Sequence, residues 1–231
     1  MDRVPAIIYA PGIMADPAWY AASARYWASY GYVVAMPHDL WNSTTEIPLM
    51  AAQTLAGAAN DPSSPLRGKV DLSRVIMAGH SAGGSATAFG VVIPPDVYHQ
   101  IDPAFRIIGT APTESAPVAA GFLFDVPTLY LTGCADAVLW HWYLIRWLGY
   151  QTALRAPAYL ACVRGANHNT PMDGPATNAF APLTLGWMQY LTKGDQEAAR
   201  YFTGPQWSLP GDPRVEYAFR NNLADALPPP A

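Results

Sequence analysis

The chain is poor in charge, in lysine and in cysteine, and each shortage removes a class of protein. Charged residues make up 13% of its 231 residues, against about a quarter in an average globular chain. Only two of the 13 basic residues, Lys69 and Lys193, are lysines, the net charge is -4, and no basic cluster appears. A nucleic-acid partner, which needs a basic stripe or patch, is therefore not expected. With two cysteines, Cys134 and Cys162, a disulfide scaffold is excluded and at most one bridge can form. Long apolar runs are missing too: the strongest, around Val138 to Leu148, is broken by His141 and Arg146 and falls short of the ~20 residues that cross a bilayer. Residues Met1 to Tyr9 carry no basic segment, long apolar stretch and small-residue cleavage site. The chain thus reads as an intracellular form or as one whose leader has been removed.

What is present is apolar and angular. Hydrophobic residues reach 51% and aromatics 12%, with 23 prolines and 18 glycines, so there is ample material for a core and for fixed turns. The length suits one domain over residues 1–231, taking roughly 150 residues per domain as the prior. Short apolar runs alternate with helical stretches, which predicts an α/β chain with helices on both faces of a mostly parallel sheet. Strands are expected at Ala6 to Ala10, Tyr32 to Met36, Arg74 to Ala78, Arg106 to Thr110, Thr128 to Thr132 and Ala158 to Val163. Helices are expected at Pro17 to Tyr30, with Asp16 as N-cap and Gly31 as terminator, at Pro48 to Ala59, Ser81 to Val92, Val138 to Leu148 and Asn178 to Leu191. The span Pro94 to Phe105 carries no element in this reading, and the closing Leu-Pro-Pro-Pro-Ala is expected to fray. No linker or repeat divides the chain, and no insertion is long enough for a cap.

One segment carries chemistry at once. Val75 to Ala78 runs into Gly79-His80-Ser81-Ala82-Gly83 and then into a helical stretch, which is the Gly-x-Ser-x-Gly elbow between strand and helix. A turn that sharp strains the serine backbone, and glycines on either side leave room for it. Ser81 then stands at a helix N-terminus, where free amides favour developing negative charge. A structural glycine turn is the plainer alternative. A serine hydroxyl needs a base, and the base an orienting acid, in the chain order Ser, acid, His. His168 follows the last expected strand, and Asp136 follows the fifth. Glu114, after the fourth, is the competing acid. The other histidines read as loop residues (His38, His99), a helix position (His141) and a neighbour of the elbow (His80). The amides of Ala82 and of Ile13, in the turn Pro11-Gly12-Ile13 after the first strand, are the expected oxyanion donors. Gly-x-Gly-x-x-Gly, Cys-x-x-Cys and His-Glu-x-x-His are absent, and Gly68-Lys69 fails as a phosphate loop because Val70 follows it. The residues call for no metal and no cofactor.

Taken together these stretches resemble the α/β-hydrolase superfamily, and within it the cutinase and poly(ethylene terephthalate) hydrolase branch related to dienelactone hydrolases and chlorophyllases. The likeness runs over nearly the whole chain: Pro11-Gly12, Ser64 to Asp71, Gly79 to Gly84, Ala111-Pro112, Val126 to Leu129, Asp136 and Asn167-His168. It implies a lidless serine carboxylic-ester hydrolase with Ser81, Asp136 and His168 as triad and Ile13 and Ala82 as oxyanion donors, acting on polyester or acyl esters. A short-chain esterase, lipase or thioesterase would use the same residues, and a non-catalytic binding protein on the same fold is the alternative of another class. Substrate contacts are expected at Ile13, His80, Thr113, Trp140 and Asn169. Relatives that cut aromatic polyesters carry an aromatic residue after Pro-Gly, a tryptophan after Ala-Pro and a methionine after the serine, where this chain has Ile13, Thr113 and Ala82. The resemblance also implies two further strands ahead of Ala6, which are missing here, leaving about six, all parallel. It implies export if a leader was removed, and a monomer. Both cysteines are expected to be free, since Cys134 is offset from the active-site disulfide of some relatives.

Overall fold

A computed structural model of the chain describes residues 3–42, 45–115 and 119–227. The apolar run Val4–Ala10 forms β1, buried from Pro5 onward, as a parallel strand covered on both faces must be. Asp16 accepts from the Ala18 amide and starts a 3-10 turn, Pro17–Tyr20, that leads into α1, Ala21–Ser29. Gly31 ends that helix at φ +79°, a left-handed backbone that costs glycine little. The strand β2, Val33–Ala35, and the helix α2, Glu46–Asn60, follow. Next come β3 (Val70–His80), α3 (Ala82–Val92) and α4 (Pro95–Ile101). The fourth, fifth and sixth strands are β4 (Ile107–Thr113), β5 (Thr128–Gly133) and β6 (Ala158–Val163), with a π-helix, His141–Gly149, between the last two. The helices α5 (Phe180–Lys193) and α6 (Gln196–Phe202) and the strand β7 (Val215–Arg220) complete the order.

Among the described residues, seven strands make one sheet in the order β2-β1-β3-β4-β5-β6-β7. All neighbours pair parallel except β6 and β7. The expectation of about six strands, all parallel, is thus corrected by the antiparallel edge strand β7. Its residues Val215, Tyr217 and Phe219 alternate with Glu216, Ala218 and Arg220, the period of a half-covered strand. The unassigned span Pro94 to Phe105 contains α4, where Pro95 takes the first helical turn and needs no donor there. His99 accordingly lies on a helix rather than in a loop. Of the tail expected to fray, Leu227 donates its amide to the Ala224 carbonyl and packs against the core, and 228–231 lie outside the described residues.

Two layers of core flank the sheet. On β1, Ile7 and Tyr9 face a cluster with Trp27 of α1, Trp187 of α5 and Phe202 of α6. Their alternating neighbours Ala6, Ile8 and Ala10 face one with Ile47 and Leu55 of α2 and Tyr98 of α4. This is an α/β architecture with helices on both faces, and the C-terminal ends of its parallel strands open on one rim. No helix among the described residues is long and apolar enough to cross a membrane.

The cysteines are bonded to one another, which corrects the expectation that both are free. In the parallel ladder Thr132 pairs with Cys162 and Gly133 with Val163. Cys134, the residue after β5, thereby comes within 5.5 Å of Cys162, Cα to Cα, inside the range a disulfide spans. Twenty-seven intervening residues hide that adjacency in the linear sequence.

Candidate active site

Since β3 ends at His80 and α3 begins at Ala82, Ser81 alone makes the turn between them. Its backbone stands at φ 54°, ψ −116°, a conformation that costs a residue with a side chain about 1–3 kcal/mol. Missing side chains make room for it: a Cβ on Gly79 would lie 2.3 Å from the Gly83 carbonyl oxygen, and one on Gly83 2.1 Å from that of Ala10. The Thr113 carbonyl accepts the Ser81 amide at 3.0 Å. The strained serine is thus held from the sheet side by β4.

The loops after β5 and β6 bring the acid and the base to it. His168 Nε2 lies 3.0 Å from Ser81 Oγ, and His168 Nδ1 lies 2.9 Å from Asp136 Oδ2. The other oxygen of Asp136 accepts the amides of Val138 and Leu139 at 2.7 and 3.0 Å. Burial pushes the Asp136 carboxyl up, but the bonds from His168 and the two amides outweigh it and hold the group below the usual carboxylate range. The two loops are tied together, the Ala135 amide donating to the Ala166 carbonyl at 2.9 Å. Solvent reaches the imidazole, whose side chain is 16% exposed, while the Asp136 carboxylate is closed off. A serine, a base and an ionised acid therefore stand in one hydrogen-bonded line at a surface opening, a geometry able to deprotonate the serine as it attacks.

The turn after β1 packs directly against the elbow. A Cβ on Gly12 would lie 3.2 Å from His80 Nδ1, a tight contact that the glycine relieves. The Gly12 amide donates to Tyr20 Oη at 3.1 Å, and Tyr20 Oη is 2.7 Å from His80 Nδ1. At the first helical position the Ala82 amide has no acceptor within α3, and no described residue accepts from the Ile13 amide. Neither expected donor has an acceptor among the described residues.

Glu114 is the competing acid, and it occupies an unusual place. The carboxyl is wholly buried, with neither oxygen hydrogen-bonded by a side chain. One oxygen lies 3.4 Å from His80 Nε2 and 3.9 Å from His168 Nδ1, farther than Asp136. Burial, and then the charge of Asp136, raise its ionisation to about 9, while burial drives His80 down to about 3. Both are neutral at pH 7. Asp136, not Glu114, is the group that can orient His168 as an anion. Glu114, His80 and His168 also offer three ligand atoms within 4.8 Å of one another. A cation there would have to take Nδ1 of His168 from Asp136 and ionise a buried acid, so the donor set fits a metal poorly.

Of the other residues expected to meet a substrate, Ile13, Trp140 and Asn169 are exposed. His80 and Thr113 are 3% and 1% exposed, so they lie behind the opening as supports, which corrects that expectation. Trp140 stands four residues beyond Asp136 and stacks on Trp142 with ring centroids 6.1 Å apart. Tyr143 and Trp147 continue the exposed rings along the π-helix. Two supports escaped the sequence reading: Tyr20, hidden inside an expected helix, and Asn42, whose Asp39-x-x-Asn42 spacing is a turn signal. No family model matches the chain, and no curated protein matches it.

Proposed function

We propose that the chain is a serine carboxylic-ester hydrolase with an α/β-hydrolase fold, acting through an acyl-enzyme. The observation that carries this reading is the strained Ser81 within 3.0 Å of His168 Nε2, with Asp136 2.9 Å behind it. In acylation Ser81 Oγ attacks the ester carbonyl carbon and its proton passes to His168 Nε2. The carbonyl oxygen becomes an oxyanion facing the Ile13 and Ala82 amides, and Asp136 stabilises the imidazolium. Collapse expels the alcohol, which takes the proton from His168. Water then gives a proton to His168 and attacks the acyl-serine, releasing the acid and returning the proton to Ser81.

The partly exposed His168 and the exposed rings from Trp140 to Trp147 favour an apolar acyl or polyester substrate met at an open surface. A second reading, short soluble esters, is favoured by Ile13 and the buried Thr113. They occupy the places where relatives that cut aromatic polyesters carry clamping rings. Release of nitrophenol from short and medium acyl esters by wild type and by Ser81→Ala tests the hydrolase reading, and equal rates would remove it. Soluble products from suspended polyester then separate the two substrate classes.

A further inference from the structure

The geometry points to Asn42 as the positioning residue of the oxyanion hole, an inference that rests on the hydrolase reading above. Gly12 C=O and Ile13 N–H belong to one trans peptide, so the two groups point in opposite directions. The carbonyl is held inward: it accepts Asn42 Nδ2 at 2.7 Å and the Ala15 amide at 3.0 Å. Asn42 is completely buried, and its Nδ2 also lies 3.4 Å from the Ala15 carbonyl. With the carbonyl anchored on that side, the Ile13 N–H is turned away from Asn42, and no described residue accepts it. If this peptide flipped, it would present a carbonyl oxygen to the oxyanion in place of a donor, and stabilisation would become repulsion.

Asn42 is itself fixed. Its Oδ1 accepts the Asp39 amide at 2.8 Å, Asp39 Oδ1 accepts the amides of Trp41 and Asn42, and the Asn42 backbone is left-handed at φ +53°. Asparagine tolerates that conformation better than most residues. The preceding peptide, Pro11–Gly12, is held separately by the bond from the Gly12 amide to Tyr20 Oη. Residues from after β2 thus set the direction of a donor on the loop after β1, where the chemistry needs a hole formed before substrate arrives.

Two variants separate the amide donor from the turn. Asn42→Asp keeps the acceptor for the Asp39 amide but replaces the donor with an oxygen facing the Gly12 carbonyl. Asn42→Gly keeps the left-handed turn and removes the side chain. Removal of a direct oxyanion donor lowers kcat about 10²- to 10³-fold, so loss of its support is expected to lower kcat about tenfold or more in both variants. KM on a nitrophenyl ester is expected to change less than about twofold, the split that marks an interaction made only in the transition state. Kcat within about twofold of wild type in a folded variant overturns the assignment. So does loss of the fold in both variants, or a fall in kcat accompanied by a matching rise in KM, because Asn42 would then serve only the loop's stability. Equal rates for wild type and Ser81→Ala are a different result, which removes the hydrolase reading and this inference with it.

Discussion

Replacing Glu114 with glutamine is expected to stabilise the protein, and to do so more strongly as the pH rises. The carboxyl is fully buried, and burial and then the charge of Asp136 lift its ionisation from 4.5 to about 9. Below pH 4.5 folded and unfolded chains both hold the proton. Between 4.5 and 9 only the folded chain keeps it, so stability falls as pH rises, by up to about 1.4 kcal/mol per pH unit. At pH 7 the accumulated cost is about 3 kcal/mol. Burial of His80, which drives it from 6.5 to about 3, acts in the opposite sense below pH 6.5, so the two effects cancel between 4.5 and 6.5. Above 6.5 Glu114 acts alone. Glutamine has nearly the same shape and no proton to lose. Melting curves of wild type and Glu114→Gln from pH 6.5 to 8.5 are therefore expected to diverge by roughly 3–5 °C per pH unit for a chain of this size. Parallel curves would refute the argument, since the carboxyl would then ionise in the folded protein where it does in water.

Asp136→Ala is expected to lose most ester hydrolysis at pH 7 and Glu114→Ala little, and steady-state rates with the opposite ranking would exchange their roles. Tyr20→Phe leaves the buried Gly12 amide without an acceptor, which is expected to lower stability by about 1–3 kcal/mol, measurable by urea unfolding. Breaking the Cys134–Cys162 bridge, which spans 28 positions, is expected to cost roughly 3–4 kcal/mol; a melting temperature unmoved by reductant would contradict it. Trp140→Ala is expected to leave soluble-ester turnover unchanged while lowering release from suspended polyester, and equal losses on both would move Trp140 from surface contact to the site itself.

Much of the candidate site was legible because it is local. Five consecutive residues, Gly79 to Gly83, specify the elbow by sterics alone, and α3 starts within one residue of its expected position. Strands β5 and β6 were placed almost to the residue, their branched and aromatic side chains being bounded by Pro127, Gly133, Pro157 and Gly165. The ring-rich stretch was read as an ordinary helix, yet it is wound as a π-helix from His141 to Gly149, a difference that apolar spacing does not encode. Strand β7 carried a readable alternation, but its single antiparallel pairing to β6 depends on a partner more than 50 residues away in sequence.

By itself the sequence determined which chemical groups are available and which of them a sharp turn must present: a serine on an elbow, a histidine and an acid after later strands, and two amides, one following the serine and one in the turn after the first strand. Tertiary structure decided their partners. It set the Asp136 carboxyl against His168 under two amides that keep it ionised, and left the Glu114 carboxyl without such bonds, buried and neutral. It joined two cysteines by setting β5 beside β6, and it brought Asn42 onto the carbonyl of Gly12. The physical reason is the same in each case. Burial, and the direction of a hydrogen bond, belong to groups that meet in space, and residues 20 to 60 positions apart meet only after the sheet has formed.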